Sequence, residues 1–76
     1  MRNKKLVHFE RLLTICRGIQ IDLLAQKRSL QNDLIIVTLF DLVAKYPLLP
    51  EVALHDAYDY LRSTLQKTEE HVSHQS

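Results

Sequence analysis

Between Leu34 and Tyr46 only Thr38, Asp41 and Lys45 are polar. They recur at i, i+3 and i+7, so on a helix they form one narrow wet stripe. Every other side of that helix is apolar, and a helix of this kind has to be surrounded. Ile35, Ile36 and Val37 would also suit a β-strand. A lone strand would leave its backbone unpaired, since the rest of the chain offers no partner strand, so the helix is preferred. Asn32 or Asp33 can cap its start, because a short side-chain oxygen accepts from first-turn N–H groups. The spacing predicts a helix over 33–46, with Asp41 and Lys45 placed for an i,i+4 pair.

The segment before it repeats with helical period from about residue 4 to 28. Leu6, Phe9, Leu13 and Cys16 step by three and four, and Leu12, Ile19 and Leu23 widen the stripe. Gln20 falls inside this face, while Ile15 and Ile21 fall outside it. Gly18 sits mid-segment at a cost of about 1 kcal/mol against Ala. Such a helix would be about 37 Å long. After Tyr46, two prolines close the second helix, because Tyr46 and Leu49 each precede one and are pushed toward extended geometry. Pro50 suits the first position of a third helix, with Glu51 at the positive end of its dipole. Leu54, Ala57, Tyr58, Leu61 and Leu65 give that helix an apolar stripe over 50–67.

The fold class expected is therefore an all-α, three-helix domain over 1–67 with a polar, aperiodic tail over 68–76. The alternative is a two-helix hairpin, because 27–33 contains neither Gly nor Pro. Phase opposes it. On one continuous helix Thr38, Asp41 and Lys45 would share a side with Leu13, Cys16 and Leu23, and the apolar face would invert midway.

A single chain of three helices gives each helix two neighbours, fewer than the second helix needs. The first helix also outreaches the second, and small chains bury only about 60% of their surface alone. A helical dimer relieves all three problems, and twofold dimers are the commonest oligomers.

Composition narrows the function classes. The chain has 76 residues, 46% of them apolar, which is one small domain and too apolar for intrinsic disorder. One Cys allows no internal disulfide, so a secreted disulfide scaffold is excluded and a reducing compartment fits. One Gly is too few for a phosphate-cradling loop. The basic start is followed by His8, Glu10, Arg11 and Arg17, so no signal-peptide core forms. No apolar run approaches the roughly 20 residues of a membrane span. A cytoplasmic protein is expected.

The net charge of +1 conceals +5 over residues 1–28 and −4 over 29–76. That asymmetry suits a basic helix beside an acidic one, or a basic surface for a polyanion through Lys4, Lys5, Arg11 and Arg17. Those four are scattered around the helix and form no stripe. In a helix-turn-helix the third helix would offer Glu51, His55, Asp56 and Asp59 to DNA, which repels phosphate and lacks the usual base-reading residues. Nucleic acid is thus disfavoured, and a regulator binding it through the basic first helix is kept only as an alternative.

His71 and His74 share a spacing of three but have no further ligands, so no metal site is expected, and no cofactor. Cys16 with a His as nucleophile and base is weak, because Cys16 lies on the apolar face. Asp56 and Asp59 share a face, with Arg62 three residues on, which is ordinary helix electrostatics. An enzyme is not expected. What remains is protein binding by a small regulator: an adaptor, a chaperone or an inhibitor of a regulatory protein such as a transcription factor. A structural assembly subunit is the further alternative. Leu6, Phe9, Leu12, Leu13 and Cys16 have helix-in-groove spacing for a partner or a dimer seam. Leu48 and Leu49, held between prolines, are a second candidate patch.

Overall fold

The corner after the first helix is made without glycine or proline. In the computed structural model, which describes the backbone of residues 3–75 and the side chains of residues 3–66, α1 spans Lys4–Gln26 and α2 spans Leu30–Lys45. Lys27 leaves α1 in extended geometry, its N–H donating to the Leu23 carbonyl at 3.0 Å. Ser29 then caps α2: its hydroxyl accepts from the Asn32 N–H at 3.1 Å and its carbonyl from Asp33 at 3.0 Å. Asn32 is buried, only 4% exposed. Its side-chain amide donates backwards to the carbonyls of Lys27, at 2.8 Å, and Leu23, at 3.3 Å. The end of a helix leaves carbonyls without partners. One asparagine supplies them, in the role that a C-terminal glycine motif fills elsewhere.

Among the described residues there are three helices and no strand, as expected. The boundaries differ in detail. Asn32 and Asp33 lie inside α2, whose cap is Ser29. Tyr46 to Leu49 forms a tight turn closed by Leu49 N–H to Tyr46 O at 2.9 Å, with Pro47 in the second position, where its fixed φ is favourable. Pro50 is the cap of α3, its carbonyl accepting from Ala53 at 3.0 Å and Leu54 at 3.2 Å. α3 spans Glu51–Gln75. Sequence periodicity stops the third helix at 67 with a frayed tail over 68–76, but the backbone continues α3 through Gln75; the side chains there, His71 and His74 among them, lie outside the described residues.

At the start of α1, Asn3 accepts from Lys5 N–H at 2.8 Å. The helix buries Leu12, Cys16, Ile19 and Leu23, which fall within about 60° of one another. They meet Ile35, Ile36, Leu39 and Val43 of α2, and Leu54 of α3 completes the buried cluster. Ile15, outside the expected stripe, packs on this core, whereas Ile21 is exposed. α2 lies between α1 and α3, which hardly touch. Phe9, Leu13, Phe40, Ala57, Tyr58, Leu61 and Leu65 close the sides half-buried. The result is elongated, 57 × 20 × 16 Å.

Two substitutions test this corner and this core. Replacing Asn32 with Leu removes the Asn32 donor from the Lys27 carbonyl and the second of two donors from the Leu23 carbonyl, and lowers unfolding free energy in urea by about 1–3 kcal/mol. Asn32→Asp costs at least as much, because a carboxylate cannot donate. Conversely, a Cβ added at Gly18 meets nothing within 4 Å. Gly18→Ala is therefore expected to stabilise the protein by about 0.5–1 kcal/mol in the same titration, through helix propensity alone.

Candidate protein-binding surface

The described side chains line two open clefts. At one end of the molecule, the first turns of α1 meet the Tyr46–Pro50 turn and the start of α3. The tie is made by two polar contacts. His8 Nε2 is 2.6 Å from the Leu49 carbonyl, so this ring nitrogen carries the proton and donates it. Arg11 Nε is 3.3 Å from Glu51 Oε2. The second contact joins the basic segment to the acidic one, as the charge split suggested, but both groups are exposed and the pair is worth under about 1 kcal/mol.

Around this tie the apolar side chains stand in solvent. Leu6 is 50% exposed and Leu48 is 52% exposed. Val7, Tyr46 and Val52 are exposed too. Lys45 to Pro50 line an open, mostly apolar cleft of about 430 Å³. Lys4, Val7, His8 and Arg11 line a second, polar one of about 280 Å³. The exposed apolar residues thus have cationic neighbours, an apolar patch with a charged border of the kind protein interfaces show.

The residues expected at an interface separate into three groups. Leu12 and Cys16 are enclosed by the chain's own helices and form core. Phe9, Leu13 and Leu49 are half-buried against that core. Leu6 and Leu48 remain accessible, at the same end of the molecule. Of the candidate polyanion contacts, Lys4 and Arg11 share a cleft, and Arg11 is already paired. Lys5 and Arg17 point to other sides of α1 by helical arithmetic. Lys4 and Lys5 stand in the first turn of α1, which has no acidic residue, and the helix dipole disfavours them there by a few tenths of a kcal/mol.

Cys16 is buried, and desolvation pushes its thiol above the ordinary pKa. Arg62 lies over the Tyr58 ring, 5.9 Å from its centre, and donates from Nε to Gln66 Oε1 at 3.3 Å. Asp41 and Lys45 form the expected ion pair, at 3.1 Å. Among the described residues no three His, Cys, Asp or Glu side chains converge as metal ligands would. No helix among them is long and apolar enough to cross a membrane.

One exposed row was not singled out by sequence. Leu30, Leu34 and Val37 lie on the side of α2 away from its neighbours. The signal was the apolar residue every three or four positions, and it was hidden because a helix starting at 33 excludes Leu30.

No protein-family model, curated protein or solved structure matches this chain.

The burial of Cys16 has a direct consequence. Alkylation by iodoacetamide should be slow in the folded protein and become rapid only in denaturant, in step with unfolding followed by circular dichroism. Rapid native-state labelling would show that α1 opens locally or packs otherwise.

Proposed function

We propose that this chain is a small helical interaction module that binds and modulates a larger protein, with no catalytic chemistry of its own. It acts in the cytoplasm and self-associates as a dimer. Adaptors, chaperones and inhibitors of regulatory proteins all have this physical profile. The observation that carries the reading is the open apolar cleft of the 46–50 turn, where Tyr46 and Leu48 stand exposed beside Lys45, with Leu6 exposed on the first turns of α1. Contiguous exposed apolar surface on a small protein marks a binding surface.

Leucines held between prolines also suit such a role. The turn is fixed by Pro47, by Pro50 and by the Leu49 N–H to Tyr46 O bond, so its side chains are presented with little entropy left to lose.

The test is affinity capture from the native cell with wild type, Leu48→Asp and Leu6→Asp side by side. A protein partner is expected whose recovery falls at least about tenfold with either variant, while the circular dichroism melt is unchanged. Recovery that is equal across the three proteins overturns the reading. So does capture of nucleic acid alone, with binding that weakens steeply with salt.

A further inference from the structure

We propose that Lys4, His8 and Arg11 form a cleft for a carboxylate of the bound partner, taken together with an apolar side chain in the cleft of the 46–50 turn. This rests on the reading of the chain as a binding module, and names the chemistry of the segment it takes: acidic and apolar residues side by side. Lys4, Val7, His8 and Arg11 follow one another at i, i+3, i+4 and i+7, which sets them on one face of α1. They line one open cleft of about 280 Å³. Lys and Arg positions alone do not reveal this stripe, because its middle member is a histidine.

The cleft holds positive charge that the chain does not neutralise. Lys4 stands in the first turn of α1, at the positive end of the helix dipole, and no acidic residue accompanies it there. Among the described residues Lys4 has no ion-pair partner. Arg11 meets Glu51 through Nε at 3.3 Å, yet its side chain stays 68% exposed. With Glu51 set against Arg11, the Lys4 charge remains in excess. An incoming anion gains from the ammonium and from the helix end together. A carboxylate also accepts charge-assisted hydrogen bonds from both cationic side chains.

The neighbouring cleft decides what carries the anion. His8 Nε2 donates to the Leu49 carbonyl at 2.6 Å, and Leu49 lines the apolar cleft of residues 45–50. One hydrogen bond therefore joins the wall of the charged cleft to the wall of the apolar one. A peptide segment that bears an acid beside an apolar side chain can fill both. A nucleic-acid backbone can fill only the first. It is charged along its length, and Lys5 and Arg17, which would have to extend the track, point to other sides of α1. A free anion leaves the apolar cleft open to water.

The experiment titrates the isotope-labelled full chain, followed by NMR, with three short blocked peptides in which leucine alternates with aspartate, asparagine or lysine. The aspartate peptide is expected to bind and to shift the amides of Val7, His8, Tyr46 and Leu49 together. The asparagine peptide should bind at least about fivefold more weakly, and the lysine peptide more weakly still. Lys4→Glu should weaken the aspartate peptide at least about fivefold, as should Leu48→Asp, while Arg17→Glu should leave it unchanged. Lys4→Glu puts an acid at the positive end of α1 and should raise the melting temperature, so lost binding cannot come from unfolding. Equal affinity for the aspartate and asparagine peptides, no binding of the aspartate peptide, or wild-type affinity in Lys4→Glu overturns the proposal. So does an oligothymidylate that binds as tightly as the aspartate peptide and ignores Leu48→Asp. If the peptide results fail but Leu48→Asp and Leu6→Asp still abolish partner capture, the module reading stands and the carboxylate cleft falls. If the aspartate peptide binds through Lys4 but capture ignores both variants, the cleft stands and the module reading falls.

Discussion

The fold depends on the amide of Asn32. Between Lys27 and Asp33 there is no glycine to reverse the chain and no proline to stop the helix. The corner exists because Ser29 caps the start of α2 while Asn32 satisfies the end of α1, with two donated hydrogen bonds to its carbonyls. Buried polar groups are tolerated when fully bonded, and no buried side-chain polar atom among the described residues lacks a partner. With that corner in place, α2 folds back along α1, and Leu12, Cys16, Ile19 and Leu23 come opposite Ile35, Ile36, Leu39 and Val43.

The arrangement that results is nearly a single layer, with α2 in the middle. A triangular bundle would bury two sides of every helix. Here α1 and α3 hardly touch, and among the described residues α3 contributes one fully buried side chain, Leu54. The polar contacts at the far end, His8 to the Leu49 carbonyl and Arg11 to Glu51, hold the start of α3 beside α1. They add alignment more than energy, since exposed pairs contribute little. Such a layer leaves apolar surface in two places, the tied end and the outer side of α2.

Much of the helical architecture was legible in residue order. The three polar residues of 34–46 demanded a helix with company, and the phase conflict around Cys16 and Asp41 demanded a break before it. The prolines at 47 and 50 marked the second corner. The first corner was harder to read, because a serine and an asparagine three apart in a polar stretch can cap in more than one register. Only the backbone geometry shows that Ser29 takes the cap and sends the Asn32 amide backwards. That displacement also hid Leu30, and with it the full length of the exposed apolar row on α2.

The candidate surface divides in the same way. Residue order was enough to establish that this is a helical protein, that α2 has more apolar circumference than two neighbours can cover, and that Asp41 and Lys45 form a pair, because helical period dictates each of these. It could not tell Leu12 and Cys16, which are core, from Leu6, which is exposed, since all lie on one broad apolar face. That choice belongs to the packing of the helices. α2 packs on the line through 12, 16, 19 and 23, and helices pack along whichever line brings most side-chain volume into contact without voids. Which apolar residues are left in water is set by where the neighbouring helices lie, and no local spacing records that.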